Sequence, residues 1–199
     1  MRASDDYLAS LREDIRFQAE LDGVPLSFVT TWGLFSPRDI DEGTRLLIPR
    51  LVVEPDSRCL DLGCGYGPIG LAMAKKAPLG QVLMVDKDFV AIDYARKNIE
   101  LNQADNAEAM LSNGFDQIPP ERRFDVIVSN IPAKVGKELL TLWLHDAWRR
   151  LAGGGRFYVV TINGLRQFMK RNLNEVFGNY KKLKQGAHYT VAVASKPND

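Results

Sequence analysis

From residue 58 onward, short apolar runs alternate with stretches in which apolar residues recur every three or four positions. The run that starts at Arg58 and reaches its tip at Asp61 reads as a strand, as do Gln81–Asp86, Phe124–Asn130 and Phe157–Ile162. Ala107–Leu111 is a weaker one, ending near Asn113. The intervening stripes read as helices: Ile69, Leu71, Ala72 and Ala74, then Ile92, Ala95 and Ile99, then Leu140, Trp143, Leu144, Ala147 and Leu151, and lastly Leu165 to Phe177. Strand and helix in alternation specify a parallel sheet with helices on both faces. The glycines 153 to 155 are expected to break the third stripe before its strand begins. The two final runs, Tyr180–Lys184 and Tyr189–Ser195, are joined by four residues, too few for a helical crossover, so they pair antiparallel. The fold class is therefore α/β: a Rossmann-like, doubly wound sheet of seven strands with an antiparallel final strand.

Upstream, Leu8, Leu11 and Ile15 give a helical spacing and predict a helix over Tyr7–Arg16. Phe17–Leu21 and Val24–Thr31 flank Asp22-Gly23, the pair that tight hairpin turns prefer, and predict a β-hairpin. A helix carrying Leu46, Leu47 and Leu51 follows, capped by Asp39 or Asp41 and kinked or ended at Pro49. Residues 1–36 thus form a helix-and-hairpin extension packed on one main domain, residues 37–199.

The chemistry concentrates where the first strand of the sheet crosses into its helix, in Asp61-Leu-Gly-Cys-Gly-Tyr-Gly67 followed by Pro68. Glycines 63, 65 and 67 allow a sharp turn and a close ligand approach, and proline at the first helical position forfeits no needed donor. Gly65 to Gly70 also satisfies the GxGxxG spacing of dinucleotide sites, with Asp86 ending the next strand. Charge separates the two readings. A pyrophosphate on the helix N-terminus is repelled by Asp61, whereas S-adenosylmethionine, with an ammonium, a sulfonium and no phosphate, is attracted.

Composition adds bounds. A chain of 199 residues, 45% hydrophobic and 26% charged, suits one globular α/β domain. No apolar run approaches the ~20 residues of a membrane span, and the polar start is not that of a signal peptide, so a cytoplasmic chain is expected. Cys59 and Cys64 match no metal spacing and read as a buried thiol and a loop thiol; His145 and His188 have no companions that make a metal site. The net charge of +1 hides an asymmetry, because Lys134 to Lys196 holds twelve Lys or Arg against three Asp or Glu. Such a bias suits a polyanion such as RNA, and equally suits solvated faces balanced by an acidic first half.

Several of these segments together resemble class I S-adenosylmethionine-dependent methyltransferases. Within that family the resemblance is to the small-domain group that includes the ribosomal RNA guanine exocyclic-amine methyltransferases of the small subunit and compact archaeal relatives. It rests on Gly33-Leu-Phe-Ser36 with Asp41-Glu-Gly-Thr44, on Asp61 to Gly67, on Asp86, on Ser129-Asn-Ile-Pro132 with Gly136-Lys-Glu138, and on Val176-Phe-Gly178. The resemblance implies that the backbone of Gly63, Gly65 and Gly67 supports the methionine half of the cofactor, with Asp61 near its ammonium. Asp86 would accept from both ribose hydroxyls, Asn113 would meet the adenine amine, and Phe35 and Thr44 would line the amino-acid end.

Methylating an exocyclic amine requires its lone pair, delocalised into the ring, to be aimed at the methyl carbon. The family's Asn-Pro-Pro-aromatic turn does this with two acceptors and stacks the base on the aromatic ring. Here the turn is Asn130-Ile-Pro-Ala133: the Asn130 side chain, the Ile131 carbonyl and Pro132 are kept, but the first proline and the ring are not. Stacking on such a ring is worth ~1–3 kcal/mol, which another aromatic such as Phe115 or Trp32 would have to supply. The expected activity is methylation of a guanine exocyclic amine in ribosomal RNA, the basic half holding phosphates. The competing readings are a small-molecule or protein substrate, and a catalytically altered cofactor-binding partner subunit.

Overall fold

A computed structural model of the chain describes residues 3–132 and 135–198. In chain order these form α1 (Asp5–Ser10), β1 (Ile15–Leu21), β2 (Val24–Thr30), α2 (Glu42–Leu47), β3 (Arg58–Leu62), α3 (Pro68–Lys76), β4 (Gln81–Asp86), α4 (Phe89–Leu101), β5 (Ala107–Leu111), β6 (Phe124–Asn130), α5 (Lys137–Arg150), β7 (Leu151–Ile162), α6 (Arg166–Phe177), β8 (Lys181–Gln185) and β9 (Tyr189–Ser195). The last seven strands make one sheet in the order β5-β4-β3-β6-β7-β9-β8. All neighbours run parallel except β9, which is antiparallel to both β7 and β8.

Because side chains alternate across a strand, each central strand feeds two cores. Cys59, Val82 and Met84 pack on the face covered by α3, α4 and the β1–β2 hairpin. Leu60, Leu62, Leu83 and Val85 pack on the opposite face, against residues of α5 and α6 such as Leu144 and Leu173. With both faces covered, these strands are apolar throughout rather than alternating. Both cysteines are free and buried. Cys64 lies in the turn between β3 and α3, as expected of a loop thiol, and is 5% exposed. Burial pushes the Cys59 thiol up to about 12 and that of Cys64 well above its ordinary value.

Two boundaries differ from the periodicity. The first helix covers Asp5–Ser10 and not Tyr7–Arg16, because Ile15 and Arg16 are drawn into the hairpin, where they pair with Thr30 and Val29. Helix α5 ends at Arg150, ahead of the glycines, which lie inside β7. Phe124 opposes Leu151 and Val126 opposes Arg156, so residues 152 to 155 form a bulge; Gly154, at φ 75°, supplies the left-handed turn. Asp41, and not Asp39, caps α2, and Pro49 sits in a 3-10 turn, Ile48–Arg50, that ends it.

The hairpin is fastened by two asparagines four apart on α4. The buried Asn98 accepts from the N–H of Val29 at 2.7 Å and donates to the C=O of Val29 at 3.0 Å and of Tyr66 at 2.9 Å. Asn102 does the same for Ser27, at 3.0 and 2.7 Å. Each side-chain amide thus stands in for a neighbouring strand along β2, whose outer edge would otherwise lie unpaired against a helix. Phe17 and Phe28 stack at 5.3 Å and Tyr66 meets Phe28 edge-on at 5.7 Å, closing the apolar side of the joint.

Asp61 is wholly buried on the α3 side of β3. One oxygen accepts from the N–H of Gly70 at 2.8 Å, at the third position of α3. The helix begins from Gly67, which has no side chain to cap it, so a carboxylate from the preceding strand does so. Gly70 lets the strand and helix approach, since a Cβ there would lie 2.5 Å from the buried Met84 side chain and force it to shift. The second oxygen of Asp61 has no partner among the described residues. Burial, with the Asp86 charge adding and the Gly70 N–H opposing, pushes the Asp61 carboxyl up to about 7.

Two outcomes follow. Asn98→Ala strands three buried backbone groups and is expected to cost about 3 kcal/mol in urea unfolding, against about 1 for Asn102→Ala. Between pH 3.8 and about 7 the folded protein holds a proton on Asp61 that the unfolded chain has lost. Its contribution to stability is therefore full below pH 3.8 and lost as pH rises through about 7. Asp61→Asn, which keeps an acceptor for Gly70, should flatten that slope in unfolding midpoints taken across the range.

Candidate active site at the carboxyl ends of the strands

In an open parallel sheet the crevice lies where chain order reverses, and here that point is between β3 and β6. Two adjoining cavities open above the carboxyl ends of the strands there. The larger, of about 410 Å³, is bounded by Phe35, Thr44, Gly65, Asn130 and Ile131, with Asp41 and Tyr189 completing its wall. The smaller, of about 240 Å³, is bounded by Lys87, Asn113, Gly114 and Trp143. Gly63, Asp86 and Pro132 line both, so the two volumes meet at the Asp86 carboxylate. Together they fall in the usual size range of a cofactor site.

The glycines divide the work. Gly63 and Gly65, at φ 76° and 56°, have open space where a side chain would stand, so their backbone faces the cavities bare. Gly67 faces away from them: a Cβ there would meet Met84 at 3.1 Å, and its place is in packing helix on strand. Asp86 is oriented by two backbone donors, Gly65 N–H on one oxygen at 2.9 Å and Asp88 N–H on the other at 3.0 Å. Each oxygen retains a lone pair for a ligand hydroxyl. Asn113 stands on the smaller cavity with its amide nitrogen donating to Asp116 at 3.0 Å. Asp61 lines neither cavity; it lies buried beneath the turn.

Phe35 and Asp41 reach the site on the loop between β2 and α2. That loop is pinned by the Tyr66 hydroxyl, which donates to the carbonyls of Ser36 at 3.2 Å and Asp39 at 3.3 Å. Burial, then the charges of Asp41 and Asp39, hold the Tyr66 phenol above its ordinary value, so it stays a donor. Phe35 is left 66% exposed on the rim. At the tip of β6, Asn130 turns its amide nitrogen to both Asp41 oxygens, at 3.2 and 3.1 Å, and to Thr44 Oγ1 at 3.1 Å. The Ile131 N–H donates to the Val160 carbonyl at 2.9 Å, which fixes the next peptide against β7. Ala133, where the family pattern has its aromatic ring, lies outside the described residues.

The aromatics at this cavity are Phe35, Tyr66 and Tyr189. Phe115 is buried in the core under α5, and Trp32 carries the Arg38 guanidinium 4.4 Å from its ring centre and lines neither cavity. In the sequence Asp41 reads as a helix cap, and no role is legible for Tyr66 or Tyr189. Only the short Asp41-to-Thr44 spacing hinted at a cap, and nothing in the chain pairs Asp41 with a residue 89 positions on. The basic residues also separate. Arg149 and Arg150 precede β7 and Lys196 follows β9, at the amino ends of the parallel strands, about 20 Å from Asn130 by strand rise. Lys181, Lys182 and Lys184 lie on β8, an edge strand that such charges protect. Among the described residues, no group of three His, Cys, Asp or Glu could hold a metal ion, and no helix is long and apolar enough to cross a membrane.

The chain is similar to known proteins. Ribosomal RNA large subunit methyltransferase G of Klebsiella pneumoniae is 30% identical over 184 residues, covering 89% of this chain and 48% of that protein. Ribosomal RNA small subunit methyltransferase C of Hamiltonella defensa is 30% identical over 167 residues, 82% of this chain and 48% of its own length. Among solved structures, the T. thermophilus 16S rRNA N2 methyltransferase RsmC, in complex with AdoMet and guanosine, superposes with a TM-score of 0.82 at 30% identity, covering 92% of this chain and 50% of that one. The chain therefore spans about half the length of these relatives. The model of the methyltransferase small domain matches residues 25–193, so the glycine crossing, the Asp86 junction and the Asn130 turn all fall within it, and the chain belongs to that family.

Proposed function

We propose that this protein methylates the exocyclic amine of guanine in ribosomal RNA, using S-adenosylmethionine, in the cytoplasm where that RNA is made. The observation that carries the reading is the Asn130 side chain. Its nitrogen end is committed to Asp41 and Thr44, so its oxygen faces the cavity as an acceptor. That cavity joins, at Asp86, a second one suited to a nucleoside.

The residues present fit the cofactor. The bare backbone of Gly63 and Gly65 admits its methionine half, and the two free lone pairs of Asp86 suit a ribose diol. Asn113 and the smaller cavity suit an adenine, whose amine would find the Asn113 oxygen. Phe35 and the backbone near Thr44 close the amino-acid end. The Gly70 N–H in the first turn of α3, which a diphosphate on that helix N-terminus would use, is already taken by the buried Asp61 side chain, and this speaks against a dinucleotide. When bound, S-adenosylmethionine supplies a sulfonium-linked methyl carbon: an N–C bond forms as the C–S bond breaks, sulfur keeps that electron pair, and the nitrogen gives up a proton to solvent.

The chain's own part is positioning. Asn130 Oδ1 and the Ile131 carbonyl accept the two amine hydrogens and turn the nitrogen lone pair toward the methyl carbon, while Pro132 fixes the floor between the two cavities. Phe35 covers the opening and excludes water. Ala133 favours a second reading, a smaller amine substrate in place of a nucleobase, since the turn offers no ring for a base to stack on. The relatives' names favour RNA.

Calorimetry should show S-adenosylhomocysteine binding with no detectable NAD binding, and Asp86→Ala should weaken the former about 100-fold by removing two charged hydrogen bonds. Asn130→Ala should leave that affinity unchanged and slow methyl transfer into undermethylated ribosomal RNA by about 100- to 1,000-fold. Label entering a metabolite extract but not the RNA would replace the first reading with the second.

A further inference from the structure

We propose that Asp41 is a positioning residue that fixes which end of the Asn130 amide faces the substrate, and so makes the site selective for an amine; this rests on the role given to Asn130 above. The two ends of a carboxamide are alike in size and opposite in hydrogen-bonding sense, so shape alone does not choose between them. Charge does. Both Asp41 oxygens lie within 3.2 Å of Asn130 Nδ2, and an ionised carboxylate only accepts, so the NH2 must face it. Thr44 Oγ1, at 3.1 Å, supplies a third acceptor. The Asn130 oxygen is thereby turned away, with no partner among the described residues, on the wall of the larger cavity.

The acid is itself held. Its Oδ2 accepts from the Thr44 N–H at 3.2 Å as the cap of α2. Gly43 leaves room for this, since a Cβ there would lie 3.0 Å from both Asp41 Oδ2 and the Tyr189 ring. An anion against the amide NH2 also draws amide resonance toward the oxygen, making Oδ1 a stronger acceptor for the amine hydrogens of a substrate. An inverted amide would present NH2 to the substrate instead, and would welcome a carbonyl or ring nitrogen while repelling an amine. The aspartate thus sets both the rate and the chemical class accepted.

Asp41→Asn tests this, because asparagine caps a helix as well as aspartate does and removes only the charge. The variant should keep its thermal midpoint and its affinity for S-adenosylhomocysteine, and keep KM for undermethylated ribosomal RNA, while kcat falls about 10- to 100-fold. In the Asn130→Ala background the same change should cost nothing more. Full kcat in Asp41→Asn, or an equal further loss in the double variant, overturns the proposal. A substrate-free readout stands beside it: the Asn130 side-chain amide protons, identified by their loss in Asn130→Ala, should resonate downfield and exchange slowly in the wild type, and revert in Asp41→Asn. Unchanged amide signals in Asp41→Asn overturn the proposal. A wild-type protein that leaves the RNA unlabelled counts instead against the guanine reading, and the amide signals then decide the positioning.

Discussion

A single buried asparagine holds the assembly together. Asn98 satisfies Val29 on the hairpin and Tyr66 in the glycine turn at once, so the extension and the crossing share one side chain. From Tyr66 the constraint passes outward. Its hydroxyl pins the loop that carries Phe35 and Asp41, and Asp41 in turn grips Asn130 at the tip of β6. In a low-dielectric interior an unmade bond in such a series is costly, so the series admits one arrangement. The hairpin is therefore a buttress of the site, although none of its strand residues lines a cavity.

Three acids surround the crevice, and each is committed differently. Asp86 is held by two backbone donors and keeps its outer lone pairs, Asp61 is sealed under α3, and Asp41 is spent on an amide and a helix cap. Asp86 and Asp41 line the larger cavity and place carboxylates where a phosphate-binding crossing would place donors, which disfavours a phosphate-bearing ligand. The basic residues of the second half lie elsewhere. Arg149, Arg150 and Lys196 stand at the far end of the sheet, and Arg150 spends its guanidinium on the carbonyls of Ile118 and Pro119. Lys87 lines the smaller cavity.

Much of the fold was legible in the chain because its strands are buried on both faces and its helices on one. Such segments carry period and length in their own composition: β4, β6 and β9 fall where the apolar runs do. The boundaries that went astray were decided by partners. Ile15 and Arg16 have a helical spacing, yet Thr30 and Val29 offered them a ladder. The glycines 153 to 155, a stop signal in isolation, became a bulge because Asp125 and Val126 lay alongside to be bridged.

The sequence by itself determined the order of strands and helices, the glycine crossing with its acid, and the Asp86 that ends the next strand, because these depend on residues close together in the chain. Only the tertiary structure decided that Asp61 is a helix cap beneath the turn, that Gly67 packs close to Met84 and lines neither cavity, and that Asp41 holds Asn130. Those outcomes depend on which polar group finds which partner across 9 to 89 residues, and a hydrogen-bonding pair so far apart leaves no periodic trace.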